Sequence, residues 1–318
     1  MKATATGLAP IVLAASAILA ASASLEGDNV ATELSVRLDD VEWSTEIASA
    51  PVLPGDVLRV ELRDPEARRW SFTAPAGTAV RSGANRWTWR APAEPGIGTA
   101  HLSEAGAASS AVELKLLVQV PASKLTKTGL LNGYRIGTYP SRPLNGNPLY
   151  LPPRGFVEVT DQNEDERLSP SFRLGQFTSK QSKDFPKYIV IEPALIARLE
   201  RLAARLDELD LPSKLHVMSG YRTPFYNRAI GNVRYSLHQW GVAADVFVDE
   251  NDDGAMDDLN RDGRVDRDDA VVLSKIVDAL DRRGGGPPTF AGGLGIYAPN
   301  RVHGPFVHVD VRGRPARW

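Results

Sequence analysis

The sequence contains no cysteine. Disulfides therefore hold nothing together, thiolate zinc sites are excluded, and a lipid-bearing cysteine of the lipoprotein kind is ruled out. Any transition-metal site must be assembled from His, Asp and Glu, and histidine is itself scarce, with 5 in 318 residues. Excess charge of one sign is also missing. The formal net charge is −2, so no strong field points to nucleic acid or to an anionic membrane surface. Apolar runs of spanning length are absent after the first two dozen residues. What the chain does concentrate is acid, between residues 249 and 269, and a local cluster of that kind needs its own explanation.

The start reads as an export signal. Lys2 supplies the positive charge, a small and apolar stretch runs from about Leu8 to Ala21, and Ala21-Ser22-Ala23 offers a small-x-small cleavage site. The stretch is short for a membrane span, which needs about 20 residues; an uncleaved anchor is the alternative. A signal over residues 1–23 implies a mature protein that is soluble and periplasmic or extracellular.

A length of 318 residues suggests about two domains at roughly 150 residues each. Residues 31–120 read as an all-β module. Leu34, Val36 and Leu38 alternate with polar residues, as do Arg86-Trp87-Thr88-Trp89-Arg90 and Val112-Glu113-Leu114-Lys115-Leu116, with Pro54-Gly55 and Pro95-Gly96 between runs. This spacing suggests an immunoglobulin-like sandwich, serving either as a wall-targeting module or as a spacer. Residues 121–153 are rich in Pro, Gly, Asn and Ser and read as a linker or a wrapping segment. Residues 154–318 mix strands with helices. Pro193 suits a first helical turn, and Leu195, Ile196, Leu199, Leu202, Ala203, Leu206 and Leu209 then recur at helical spacing. The fold class expected is α+β.

The strongest chemical signal is Ser236-Leu237-His238-Gln239-Trp240-Gly241-Val242-Ala243-Ala244-Asp245. Residues 242–248 are almost entirely apolar, yet Asp245 sits among them. A lone carboxylate buried there is costly unless a cation, a metal or several donors meet it. Gly241 permits a tight turn that returns His238 toward Asp245. Phe306-Val307-His308-Val309-Asp310-Val311 is a second alternating strand, in which His308 and Asp310 point to one face. Side by side, the two strands present His238, Asp245 and His308 to one zinc ion, with a fourth position left for water.

These residues belong to a longer series: Ser219-Gly220-Tyr221-Arg222-Thr223-Pro224, Asn227, the Ser-x-His-x-x-Gly-x-Ala-x-Asp run, Gly292-Gly293-Leu294-Gly295-Ile296-Tyr297, Phe306-Val307-His308-Val309-Asp310 and Arg317-Trp318. In this order they resemble the zinc D-Ala-D-Ala carboxypeptidase family, whose wider group includes lysostaphin-type endopeptidases and the hedgehog signalling domain. The resemblance covers about residues 172–318. It implies a zinc peptidase domain with a small antiparallel sheet and flanking helices, acting on peptidoglycan peptides as a D,D-carboxypeptidase or endopeptidase through metal-activated water. It makes His238, Asp245 and His308 the zinc ligands. Arg222 matches the family arginine that faces substrate, where its fork suits a carboxylate or a developing oxyanion; a structural salt bridge is the alternative. Ser236 matches the family serine before the first ligand, available to substrate or to a turn cap. The sequence departs from the family where a general base is usual, since Pro305 and Phe306 stand three and two residues before His308. Asp310 is the substitute base expected, or else a residue orienting a ligand, and His303 is the second candidate. The departure keeps open a zinc- and calcium-binding wall protein that hydrolyses nothing.

The acidic cluster has spacing of its own. Asp258, Asn260, Asp262, Asp266 and Asp269 fall at positions one, three, five, nine and twelve of a calcium loop of the EF-hand kind, with Gly263 at six and the Arg264 carbonyl at seven. Asp at position twelve resembles dockerin loops. A partial copy precedes it in Asp249, Asn251, Asp253, Gly254 and Asp257, and its twelfth position, Asn260, is already used by the second loop. One or two structural calcium ions are expected. A dockerin-like assembly role is disfavoured, because complete dockerins carry two separate units outside any catalytic domain.

Overall fold

The alternating stretches of the first half become strands. They are β1 (Ser35–Leu38), β2 (Val41–Trp43), β3 (Ile47–Val52), β4 (Val57–Arg63), β5 (Trp70–Thr73), β6 (Thr78–Gly83), β7 (Arg86–Arg90), β8 (Gly96–Glu104) and β9 (Val112–Val118). The computed structural model describes residues 34–106, 111–282 and 290–318. The expected export signal and residues 31–33 and 107–110 of the expected β module lie outside the described residues. One sheet has the order β2-β1-β4-β7-β6 and another β3-β9-β8-β5. Period-two patterning decides what each face meets. In β4, Leu58, Val60 and Leu62 are buried while Val57 and Arg59 are exposed; in β7, Trp87 and Trp89 are buried between exposed Arg86 and Arg90.

The segment at 121–153 does not hang free. β10 (Val120–Pro121) pairs with the later β13 (Gly155–Val159), and between them β11 (Leu130–Leu131) and β12 (Tyr134–Arg135) form a short hairpin. Leu131, Tyr134, Ile136 and Tyr139 are buried. The segment lies against the second half and carries part of its core. β13 also pairs with β14 (Lys187–Ile189).

The rest of the chain alternates helix and strand: α1 (Pro193–Glu208), β15 (Leu215–Ser219), α2 (Pro224–Ala229), β16 (Ala243–Val248), α3 (Arg267–Arg282), β17 (Gly293–Tyr297), β18 (Phe306–Asp310) and β19 (Ala316–Arg317). The expected stripe on α1 is buried at Leu195, Ile196, Leu199, Leu202 and Leu206, each worth about 2 kcal/mol of transfer free energy. α1 packs against α3 on one side and against β2 and β3 of the all-β half on the other. The sheet order is β15-β16-β18-β17-β19, antiparallel except for the β17–β19 pair. Mixed sheets and few helices fit the expected α+β class.

One apolar core runs without a break from Val36 to Val311, and residues 34–318 form a single compact unit. Lys115 of β9 joins the halves as well, its ammonium lying 3.4 Å from Glu113 and 3.3 Å from Glu166. No helix among the described residues is long and apolar enough to cross a membrane.

Candidate metal centre

The register of the second sheet assembles the site. Ser219 of β15 pairs with Asp245 of β16, Asp245 with His308 of β18, and His308 with Gly295 of β17. β16 is buried along its whole length, because its neighbours cover both faces. Asp245 is thus 5 % exposed in the middle of an apolar strand.

His238 reaches it from a single turn of 3-10 helix, Leu237–Trp240, that stops at Gly241 in the left-handed conformation with φ of 67°. A Cβ on Gly241 would lie 2.2 Å from the Val190 carbonyl oxygen. Only glycine allows both the backbone angle and that approach. The turn is braced by the wrapping segment. Tyr139 Oη donates to the Gln239 carbonyl at 2.9 Å and also contacts Tyr221 Oη at 2.9 Å, and Trp240 Nε1 donates to the Leu151 carbonyl at 2.9 Å. The motif upstream has its own local logic. The Arg222 N–H donates to the His238 carbonyl at 3.1 Å. Thr223 then caps α2 by accepting from the Tyr226 N–H at 3.0 Å, and Pro224 opens the helix.

Three ligand atoms converge. His238 Nε2 lies 3.3 Å from His308 Nδ1 and 3.2 Å from Asp245 Oδ1, and His308 Nδ1 lies 2.9 Å from Asp245 Oδ1. For a tetrahedral zinc ion with bonds of about 2.0–2.1 Å, ligand atoms sit about 3.3 Å apart. Protons point the same way. His238 Nδ1 faces the Gly220 carbonyl at 2.7 Å, an acceptor only, so this nitrogen donates and Nε2 turns its lone pair inward. His308 Nε2 lies 3.2 Å from Asp310 Oδ2, which leaves Nδ1 to face the cluster. Two imidazole lone pairs and a carboxylate oxygen then crowd one point, and a cation resolves the repulsion. Among the described residues this is the single group of three or more His, Asp or Glu ligand atoms lying within 4.8 Å of one another. The donor set fits zinc.

The three groups also shift one another's protonation. Burial lowers the His238 pKa. Burial would raise that of Asp245, but the two imidazoles outweigh it and hold the carboxyl well below its ordinary range. Burial lowers His308, and the carboxylates of Asp245 and Asp310 more than reverse that, leaving it raised.

The remaining expected residues are placed as follows. Arg222 Nη2 donates to Asp245 Oδ2 and Nε donates to Ser219 Oγ at 2.8 Å. It thus holds the far oxygen of a ligand, while Nη1 has no protein acceptor among the described residues. Ser236 is 8 % exposed and makes no side-chain cap, so its hydroxyl is not spent on the turn. Asp310 is fully buried and surrounded. Oδ1 accepts from the Gly293 N–H at 2.8 Å and from the Arg312 N–H at 3.0 Å, and Arg312 Nη2 and His308 Nε2 meet Oδ2. Burial would raise its pKa, yet His308 and Arg312 hold it far below the usual range. It meets the His308 ring nitrogen that points away from Asp245 and His238. His303 lies in the loop before β18. Its Nε2 meets Asn300 Nδ2 at 2.7 Å, its Nδ1 meets the Gly304 carbonyl at 2.8 Å, and its ring packs edge-on against Phe306.

Sequence reasoning missed Arg312, whose place two residues after Asp310 puts it on the same face, and so was findable. It also missed Tyr139, for which no local signal exists, and the part that the Gly220 carbonyl plays beside His238. Lys180 is exposed, but lost solvation and the Arg222 charge lower its ammonium pKa, and it feels Asp245 as well.

The acidic loops repeat one another in backbone detail. Asp249 accepts from the N–H groups of Asp253 and Gly254, and Asp258 from those of Asp262 and Gly263. Asn251 and Asn260 each accept from the N–H two residues on, as do Asp253 and Asp262. Position four has positive φ in both, at Asp252 and Arg261, and so does position six, at Gly254 and Gly263. Asp257 accepts from the Glu250 N–H. Asp269 is fully buried and accepts from the N–H groups of Leu259, Asn260 and Asp266, closing the second loop onto α3. Asp266 accepts from the Asp268 N–H. The loop carboxylates are not drawn into a group at metal-ligand distances.

Residues 172–270 match the family model of Peptidase M15. The match takes in Arg222, His238 and Asp245 and stops before His308, so the third ligand rests on the geometry. It supports a hydrolase of the zinc metallopeptidase kind, with peptidoglycan peptides as the substrates the family suggests. No curated protein and no solved structure matches.

Proposed function

We propose that this protein is a zinc-dependent peptidase that cleaves peptide bonds in peptidoglycan stem peptides, as a D,D-carboxypeptidase or an endopeptidase. The observation that carries the reading is the convergence of His238 Nε2, Asp245 Oδ1 and His308 Nδ1 within 3.3 Å of one another. Zinc held there supplies Lewis-acid polarisation of a carbonyl and a water acidified toward ~7. The chain's own residues do the positioning. Gly220 and Asp310 set the imidazole tautomers. Arg222 steadies Asp245 and keeps one guanidinium nitrogen for a substrate carboxylate or an oxyanion. The Ser236 hydroxyl is free to hydrogen-bond substrate.

A second reading has one observation in its favour. Pro305 and Phe306 stand where the family's base is expected, Asp310 lies behind His308, and both ring nitrogens of His303 have local partners. That arrangement suits a zinc- and calcium-binding wall protein that hydrolyses nothing. Digestion of purified sacculi with the zinc-loaded protein separates the two, with His308→Ala as control and mass analysis of fragments. Released D-alanine identifies a carboxypeptidase and separated cross-linked dimers an endopeptidase. Retention on sacculi with no product under metal-replete conditions supports the second reading.

The same reading assigns structural calcium to the paired loops at 249–269, supported by their motif spacing and matching backbone. The ligands are Asp249, Asn251, Asp253 and Asp257 in one, and Asp258, Asn260, Asp262, Asp266, Asp269 and the Arg264 carbonyl in the other. Calcium there fixes the exit from β16 and the entry to α3. Adding a calcium chelator to protein that keeps its zinc should lower the melting temperature; an unchanged value removes calcium from the account. Residues 31–120 serve as an immunoglobulin-like accessory sandwich, supported by the two sheets that its strands form. Export is supported by Lys2, the apolar run and Ala21-Ser22-Ala23, and cell fractionation tests it.

A further inference from the structure

Trp318 stands beside the ligand His308, with indole and imidazole centroids 5.2 Å apart. It is held there by several independent contacts. Its Nε1 donates to Tyr297 Oη at 2.9 Å, and the Arg312 guanidinium lies 5.0 Å from the indole centroid. Its backbone N–H donates to the Leu294 carbonyl at 3.3 Å, and its carbonyl accepts from the Ile296 N–H at 3.1 Å.

The space for the indole has been made. Gly295 is the residue directly opposite His308 on β17. A Cβ there would lie 2.5 Å from Trp318 Nε1 and 2.6 Å from Cε2. The indole lies flat over the strand only because that position has no side chain. Yet Trp318 remains 50 % exposed. A large apolar side chain fixed this firmly in a slot, on a residue half exposed to water beside His308, is built to be covered by something else.

Position across the sheet says what covers it. Arg222 follows β15 and touches Asp245 on one flank of the ligand cluster, while Trp318 touches His308 on the other. We propose that Trp318 is a substrate-binding wall, on which the aliphatic part of the residue that contributes the scissile carbonyl packs, while Arg222 on the opposite flank meets the carboxylate end of the peptide. This rests on the peptidase reading above and adds the orientation in which the peptide lies.

The test uses the full mature protein loaded with zinc. Trp318→Ala is expected to raise KM for a disaccharide-pentapeptide about 10-fold, with a smaller change in kcat and unchanged zinc content. Trp318→Phe should restore most of that loss. Gly295→Ala, which displaces the indole without deleting it, should behave like Trp318→Ala. A merely structural role would move none of the following readout. Titration with a non-hydrolysable phosphinate analogue of D-Ala-D-Ala should shift tryptophan emission saturably in the wild type and not in Trp318→Phe. An unchanged KM in a folded Trp318→Ala, or an equal emission response in wild type and Trp318→Phe, overturns the proposal. If the wild type cleaves no wall peptide, the peptidase reading falls separately. The disaccharide-pentapeptide titration then decides: a saturable shift lost in Trp318→Phe supports the wall, and no shift overturns it.

Discussion

Two carboxylates taken out of water divide this molecule. Asp64 lies in the all-β half, with none of its side chain exposed, and receives five N–H donors: the backbone groups of Glu66 and Arg68, Arg68 Nε and Nη2, and Trp70 Nε1. Asp245 lies in the second half and is nearly as buried, but one oxygen meets Arg222 and the other meets two imidazole nitrogens. The first is closed, because every lone pair has a donor supplied within six residues. The second is open, because its nearest neighbours are two imidazoles that with it could hold a metal ion. Depth of burial does not separate structural carboxylates from functional ones; the identity of the groups that answer the charge does. Asp310 sits between the cases, closed by Arg312 and Gly293 but in contact with a ligand.

Opening the second site should have the largest effect. His308→Ala or Asp245→Ala removes a ligand, and the lost stabilisation of several kcal/mol corresponds to ~10³-fold or more in hydrolysis. Elemental analysis should show zinc lost while circular dichroism stays native. A zinc-replete, active His308→Ala would erase the distinction between the two carboxylates. Opening the first site should cost stability alone. Asp64→Ala leaves the Trp70 N–H without its acceptor, at about 2 kcal/mol, while Arg68 keeps Glu66 and Glu104; the loss is read by urea denaturation with activity per folded molecule unchanged.

The intermediate case sharpens the contrast. Asp310→Asn keeps the shape but loosens His308, and zinc affinity should fall about 10–100-fold, measured by competition with a chelator. An affinity equal to wild type would reduce Asp310 to a packing residue. The mildest expected effect is on the acid side. The Arg68 guanidinium, then the Trp70 and backbone N–H groups, outweigh burial and hold Asp64 below its ordinary pKa. A depressed folded-state pKa means the unfolded chain takes up the proton first, so this contribution is complete above about pH 4 and fades as pH falls below it. Denaturant midpoints of wild type should drop there more steeply than those of Asp64→Asn. Parallel curves for the two proteins would show that Asp64 is not the group responsible.

Some of this was legible in the residues because the physics is local. Alternation marked β1, β7 and β9, and helical spacing marked α1, since a period of two or 3.6 is imposed by backbone geometry whatever surrounds it. A carboxylate inside an apolar strand marked Asp245, and the Gly241 turn explained how His238 comes back to it. Paired Asp-x-Asn-x-Asp-Gly spacing marked the loops whose backbones repeat. Other features were not legible. The Pro- and Gly-rich segment at 121–153 reads as a linker or a wrapping segment, but nothing in it marks Tyr139 and Leu151, which brace the His238 turn from 100 and 89 residues away in sequence. Strand geometry put Asp310 on the His308 face, but left open whether it is a base or a residue orienting the imidazole. Which side of the imidazole it meets depends on a ring rotation that Arg312 and Gly293 settle.

The amino-acid sequence by itself determined which atoms could bind a metal here, because without cysteine only imidazoles and carboxylates remain, and it determined that one carboxylate must be answered inside an apolar strand. The tertiary structure alone decided how that answer is built. Strand register sets Ser219, Asp245, His308 and Gly295 in one row across four strands, and the partners of each ring's second nitrogen set which lone pairs face inward. Those outcomes depend on groups brought close by packing from far along the chain, and at a few ångströms a charge responds to what is beside it rather than to what precedes it in sequence.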